Sequence, residues 1–410
     1  MTSKIIVNNI EADSGISSIT FNDSIFVGDI NSSGTSTFNV VSGVSTIGVT
    51  TVHLTGINDL SYPTAGPLSN RNLIINAAMQ VAQRGTSQSS VTSTGYYTVD
   101  RFQLNTTDEA TYTMEQSTDA PAGFKNSLKF TVTTADSSIA ADDYAACHYL
   151  IEGNDIVPLG FGASGAKSFT LSFYVKSSQT VTFGLNFQNY GNDRNFDSSY
   201  TINTADTWER KTITIPGDTS GTWTTDNGAG LKIWWSFLVG STYEASAVST
   251  SWGGTLGLGL NGQVQLSSII NATWQITGVQ LEVGTRATPF EHRSFGDELL
   301  KCQRYYETGN WHGMYKTSDD TMGWVNYKVT KRANPSVTSI APGGTTTNRI
   351  YYYSTDSADR GERNVDINNT AWTGGMTDFT NSFYGILGNF TPSQTNDATF
   401  HGIYRADAEM

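Results

Sequence analysis

The stretch Trp274–Glu307, WQITGVQLEVGTRATPFEHRSFGDELLKCQRYYE, holds the most informative change of pattern in the chain. Trp274 and Ile276 share one parity, Val279, Leu281 and Val283 the other, and Gly278 stands between them. A period-two pattern that changes phase at a glycine predicts a strand with a bulge. Gly284 and Pro289 then mark a turn. Ser294 stands where a helix N-cap belongs, with Asp297 three residues on, and Asp297 and Lys301 have i,i+4 spacing. Phe295, Leu299, Cys302 and Tyr306 recur at helical period. The expectation is a strand running through a turn into a connecting helix over residues 294–310, with a β domain on each side.

Upstream, Phe169, Leu171, Phe173 and Val175 alternate with Ser168, Thr170, Ser172 and Tyr174, and after Lys176–Thr180 the alternation resumes at Val181, Phe183, Leu185 and Phe187. This pattern predicts an antiparallel hairpin with one buried face. Similar phases occur at Leu128/Phe130/Val132, Ile213/Ile215 and Leu231/Ile233/Trp235/Phe237/Val239, with shorter ones at Leu256/Leu258/Leu260 and Val264/Leu266. Residues 73–293 thus read as a jelly-roll β-sandwich. Downstream, residues 311–410 carry β signals at Trp324/Tyr327/Val329, Ile350–Tyr353, Val365/Ile367, Phe383/Ile386 and Phe400–Tyr404, enough for a small C-terminal β domain.

Residues 61–72 contain Pro63, Gly66 and Pro67 and read as a linker. Residues 1–60 offer short apolar pairs such as Ile5/Val7, Ile25/Val27 and Ile47/Val49, separated by Ser-Gly breaks, with a weak internal repeat between Ser14–Thr20 and Ser42–Gly48. Each pair is too small to bury a core alone, whereas three chains wound about one axis bury the rows together. An N-terminal β-rich trimeric stem is expected, making the chain all-β in three parts joined by one short helix.

Charged residues make up only 15% of the 410, and the formal net charge is −13. An average globular chain is about a quarter charged, so this surface is expected to be neutral and polar. The negative balance argues against nucleic acid as a partner. No apolar run approaches the ~20 residues of a membrane span, and Met1–Lys4 leads directly into β pattern, so neither membrane insertion nor a secretory signal is expected. Cys147 and Cys302 are the only cysteines, too few for a disulfide framework, and both are expected to be reduced.

Nothing in the sequence spells catalysis. The five histidines (His53, His148, His292, His312, His401) have no second ligand at metal spacing. A GxSxG elbow and a Walker A loop are absent. No cofactor, metal or catalytic residue is assigned. The aromatics carry the binding signal. Alternation that puts Trp235 in the core leaves Trp234 on the opposite face, and flat aromatics beside polar groups suit sugar rings. Trp223 and Trp252 lie in Gly/Thr/Ser-rich loops nearby. Tyr190, Asp193 and Arg194 belong to the loop NYGNDRNF, and Tyr352 and Trp372 could form a distal platform. Packing against a neighbouring chain or domain is the alternative use of the same tryptophans.

GVQLEVG (Gly278–Gly284), ATPFEHR (Ala287–Arg293) and DELLKCQRYY (Asp297–Tyr306) occur here in order, preceded by NLIINAAMQVAQR (Asn72–Arg84) and Val99-Asp100-Arg101 and followed by KRANPSV (Lys331–Val337) and ADAEM (Ala406–Met410). This succession resembles marine, cyanophage-like bacteriophage tail-fibre and virion structural proteins, over roughly residues 70 to 410. The resemblance implies a carbohydrate-binding-module-like sandwich and a non-enzymatic, homotrimeric fibre subunit in the virion. Such a subunit would be attached through residues 1–60 to tail, baseplate or capsid proteins and would contact host cell-surface polysaccharide. A tailspike-like depolymerase and a purely structural fibre are the alternatives.

Overall fold

The structure, a computed structural model of the chain, describes residues 69–317, 320–340, 349–353, 361–364, 366–368, 382–386 and 399–410. The expected stem at 1–60 and most of the expected linker lie outside the described residues, as does Trp372.

Thirteen strands come first: β1 (Ser87–Val91), β2 (Phe102–Thr106), β3 (Thr111–Ser117), β4 (Ser127–Thr134), β5 (Tyr144–Glu152), β6 (Phe169–Ser177), β7 (Thr182–Asn189), β8 (Asn195–Thr201), β9 (Glu209–Ile215), β10 (Ala229–Val239), β11 (Glu244–Ala245), β12 (Gly259–Leu260) and β13 (Thr273–Val283). A single helical turn, α1 (Gly153–Ile156), follows β5. Eleven of these strands form two antiparallel sheets, one ordered β1-β3-β4-β13-β6-β9 and the other β2-β5-β10-β7-β8. The apolar faces meet in one core. Trp235, Trp274, Phe102, Phe130, Phe169 and Phe173 are fully buried there, and each such side chain contributes about 2–3 kcal/mol on burial. Rings interlock edge to face, as Phe237 does on Trp274 at 5.0 Å and Phe173 on Trp235 at 5.9 Å. The buried Trp274 indole N–H donates to the Tyr200 hydroxyl at 2.9 Å.

The two long alternating runs expected to form a hairpin do not pair. β6 pairs with β13 and β9 in one sheet, β7 with β10 and β8 in the other, so the intervening turn crosses from sheet to sheet. Phe169 and Phe187 meet across the core, 5.2 Å apart. Period-two alternation says which face is buried, and that face is equally satisfied by an adjacent strand or an opposing sheet. Of the short apolar runs between 256 and 266, only Gly259–Leu260 is a strand, and Leu266–Ser268 is a 3-10 turn.

The bulge at Gly278 is present. The β13–β6 register shifts between Thr277 and Gln280, and Gly278 has φ +59°. A Cβ there would stand 2.6 Å from the Phe124 ring, so both conformation and space demand glycine. Helix α2 (Phe295–Gln303) begins at Ser294, whose hydroxyl accepts from the Asp297 N–H at 3.1 Å and donates to its carboxylate at 2.7 Å. Its buried side differs from the expected stripe. Phe295 is 55% exposed, while Glu298, Cys302 and Gln303 are buried. Glu298 goes inside because it accepts from the Asn76 N–H at 2.5 Å and from Arg293 at 3.2 Å. The helix also ends earlier than 310, because Tyr306 onward pairs in register with the C-terminal strand.

The remaining strands are β14 (Tyr306–Thr317), β15 (Asp320–Asn326), β16 (Ser336–Ile340), β17 (Arg349–Tyr353), β18 (Gly361–Asn364), β19 (Asp366–Asn368), β20 (Ser382–Ile386) and β21 (Thr399–Asp407). They make one antiparallel sheet in which β21 pairs with β14 on one side and with β16 and β17 on the other. Tyr352 lies on β17 opposite Phe400.

A buried polar joint ties this sheet to the sandwich, and the sequence landmarks supply it. Arg101, 1% exposed, pairs with Glu409, donates to the Leu150 carbonyl at 2.6 Å and lies 3.5 Å over the Tyr305 ring. Arg84 reaches Glu409 at 3.5 Å and Asp407 at 3.1 Å. Arg332 donates to the Asn227 carbonyl of the sandwich and to the Ala408 carbonyl, each at 2.8 Å, and on the sheet side buried Lys331 pairs with Glu307 at 2.6 Å. Residues hundreds of positions apart are therefore held by charge-assisted bonds in a low-dielectric place. Cys147 and Cys302 are free thiols, both buried.

Candidate functional site

Alternation along β10 sends Leu231, Ile233 and Trp235 into the core and Lys232 and Trp234 to the outer face of the five-stranded sheet. Register then assembles a row across all five strands of that face: Gln103 opposite His148, His148 opposite Trp234, Trp234 opposite Asn186, Asn186 opposite Asp197. The segment 240–263 folds over part of this face. Gly184 permits that approach, since a Cβ there would lie 2.9 Å from the Gly259 Cα, and Gln263 clamps the segment by accepting from the Gly184 N–H at 3.1 Å. The uncovered remainder is a cleft of about 420 Å³, walled by Tyr144, Tyr243, Leu256 and Leu258 on one side and Tyr190 and Asn192 on the other, with His148, Lys232 and Trp234 on its floor.

The floor is closely stacked and under-bonded. The His148 and Trp234 rings stack at 3.9 Å and 26°, and the Tyr144 ring stands edge-on to Trp234 at 5.8 Å. His148 Nδ1 accepts from the Gln103 and Asn105 side-chain amides at 2.9 and 3.2 Å, which leaves the proton on Nε2. Burial, reinforced by the nearby Lys232 ammonium, holds the His148 pKa well below the ordinary range, so the ring is neutral. Its Nε2–H, the Trp234 indole N–H and the Gln188 carbonyl oxygen are buried and have no protein partner. Buried polar groups are nearly always satisfied, so three unpartnered atoms just beneath one cleft floor single this face out.

Of the residues proposed from sequence, Trp234 and Tyr190 share this cleft. Trp234 is 6% exposed and offers no free face, whereas Tyr190 is 63% exposed at the rim. Asp193 is exposed in the same loop and accepts from the Asn189 amide at 2.5 Å. Trp223 and Trp252 are not a platform. They are 7% and 8% exposed, meet edge to face at 5.3 Å, and their indole N–H groups donate to Asp218 at 3.2 Å and to the Pro216 carbonyl at 2.7 Å. Arg194 joins them, gripping Asp218 with two bonds of 2.7 Å. Loops rich in Gly, Thr and Ser bring these rings inward to close one end of the sandwich, away from the cleft that Trp234 and Tyr190 line. His148, Lys232, Gln103, Asn105 and Gln188 were not singled out. Alternation around Trp235 could have found Lys232; His148 needed the strand pairing.

A second groove, of about 560 Å³, is lined by Phe124, Tyr174, Arg210, Phe290 and His292. It is aromatic, but none of its lining side chains has an unpartnered buried polar atom. Among the described residues no group of three metal-ligating side chains converges, and no helix is long and apolar enough to cross a membrane.

No family model and no curated protein sequence matches the chain. Among solved structures it is similar to the enzymatically active domain of bacteriophage CBA120 tailspike protein 4, at 14% identity and TM-score 0.28, over 52% of this chain and 21% of that one. It is also similar to TmCBM61 in complex with beta-1,4-galactotriose, at 10% identity and TM-score 0.26, over 52% of this chain and 99% of that one. A third is the family 11 carbohydrate-binding module of a Clostridium thermocellum cellulase, at 12% identity and TM-score 0.24, over 50% and 100% of the two chains. The chain thus spans about a fifth of the tailspike's length.

Proposed function

We propose that this chain is a non-enzymatic glycan-binding subunit and that the cleft on the outer face of β10 receives the sugar. The observation that carries the reading is the cleft floor, where two N–H donors and one carbonyl acceptor without protein partners lie among aromatic rings. Sugars present this combination of apolar C–H faces and dense hydroxyls. Hydrolysis of a glycosidic bond commonly needs two carboxyl groups about 5–10 Å apart, and the lining includes no Asp or Glu side chain, which supports binding without cleavage. The virion setting rests on the ordered landmarks from Asn72 to Met410. In that setting the chain would be a trimeric fibre subunit held to the particle by residues 1–60, with weak single sites multiplied by avidity.

The test is retardation of the full chain in gels containing bacterial envelope polysaccharides, with polymer length followed in the same samples. Saturable binding at unchanged length is expected. Tyr190→Ala, which removes an exposed ring without touching the core, should weaken binding by about five- to thirtyfold, the equivalent of 1–2 kcal/mol. Shortening of the polymer would turn the assignment to a depolymerase. Absence of binding to every polymer would leave a structural fibre.

A further inference from the structure

We propose that the cleft selects acidic polysaccharide, with Lys232 binding a carboxylate or sulfate substituent of the sugar. This rests on the assignment of the cleft as a glycan site and goes further by naming the ligand's charge and the residue that reads it.

Three cationic side chains are buried among the described residues: Arg101, Lys331 and Lys232. Arg101 has Glu409 and Lys331 has Glu307 as counter-charge. Lys232 has none. Its Nζ donates to the Tyr190 carbonyl at 3.1 Å and the Asn192 side-chain carbonyl at 2.6 Å, both neutral, and no described carboxylate lies within ion-pair distance. An ammonium has three N–H donors, so one is left beyond these two bonds, and among the described residues the only other contact of the Nζ is with the neutral Tyr190 ring, 5.4 Å from its centroid. Burial lowers the Lys232 pKa, the direction expected of a charge without a partner.

The neighbours fit an anion. Trp234, two residues along the same face, and His148, paired opposite it, bring the two unpartnered N–H groups to the same floor. Oxyanions accept and do not donate, so the corner of Lys232 and these two N–H groups suits an anionic substituent, while the Gln188 side-chain oxygen is left to accept from a hydroxyl. In a chain with 37 acidic and 24 basic residues, the cleft lining holds the Lys232 cation and no Asp or Glu side chain, with Met410 also along it. The overall negative field disfavours polyanions, so recognition of one has to come from this local charge.

The experiment uses the full chain and three probes: alginate for carboxylate, carrageenan for sulfate, and carboxyl-reduced alginate, in which the uronates have become neutral hexoses. Affinity is read by gel retardation and calorimetry. At least one acidic polymer should bind about tenfold or more tighter than the reduced polymer, as expected of one charge-assisted contact. Lys232→Met should abolish that preference, bringing the affinity for the acidic polymer down to that for the reduced one, and Lys232→Arg should keep it. Thermal unfolding of each variant establishes that it is folded. Equal binding of acidic and reduced polymers, or an unchanged preference in Lys232→Met, would overturn the proposal while the glycan site stands. No binding of the wild type to any acidic or neutral polymer would overturn both.

Discussion

Glu409→Gln tests the joint that ties the C-terminal sheet to the sandwich. The substitution keeps the shape of the side chain and removes the charge that Arg101 and Arg84 share. Arg84 keeps Asp407 at 3.1 Å and Asp100 at 3.9 Å. Arg101 keeps only the Leu150 carbonyl at 2.6 Å and the Tyr305 and Tyr149 rings, none of which carries a formal charge. Leaving one member of a buried ion pair without its partner costs about 3–5 kcal/mol. The new amide can still accept one bond from Arg101, so the lower end, about 3 kcal/mol, applies. At roughly 2–4 °C per kcal/mol for a domain of 150–250 residues, Tm should fall by about 6–12 °C. Calorimetry and urea unfolding followed by tryptophan fluorescence would measure it. The double variant Arg101→Met/Glu409→Leu removes both charges and should recover most of the loss. A fall below about 0.5 kcal/mol for Glu409→Gln, within the range of ordinary surface changes, or a double variant worse than the single one, would refute the reasoning.

Gly278→Ala should cost about 2–4 kcal/mol, combining a left-handed conformation with a methyl group forced against Phe124; an unchanged urea midpoint would count against the bulge. Trp252→Ala should destabilise by about 3–5 kcal/mol through loss of a packed ring, with glycan affinity retained in the folded fraction, which unfolding and retardation on one sample would separate. Burial raises the Glu209 pKa, but Lys211 and the N–H groups of Asn203 and Thr204 outweigh it and hold the carboxyl at about 2. Because the folded value lies below the unfolded one, this group's stabilisation is present above about pH 4.5 and is lost as pH falls toward 2. Glu209→Gln should therefore flatten the acid side of the stability profile, measured as urea midpoints from pH 6 to 2.5.

Local signals carried much of the scaffold. Gly278 announced its bulge and Ser294 its cap, because both are satisfied within a few residues of themselves. Pairing was less legible. Phe169–Val175 and Phe183–Phe187 showed which face is buried, but the same period serves a hairpin and two opposed sheets. Tyr306 continued a helical stripe, yet nine register partners on β21 made it a strand. At the site, alternation put Trp234 on the face opposite the core residue Trp235, although it is only 6% exposed there. Trp223 and Trp252 turn inward, which polar loop composition does not reveal. His148 was invisible beside Trp234, since their adjacency arises from strands more than eighty residues apart in sequence.

The most direct measurement is a crystal structure of the full chain with an oligosaccharide cut from whichever polymer it retains most strongly. The account predicts sugar density in the cleft, with oxygens in hydrogen-bond reach of Trp234 Nε1, His148 Nε2 and Lys232 Nζ, and a ring beside Tyr190. Density only elsewhere, for instance in the groove of Phe124, Phe290 and His292, would contradict it.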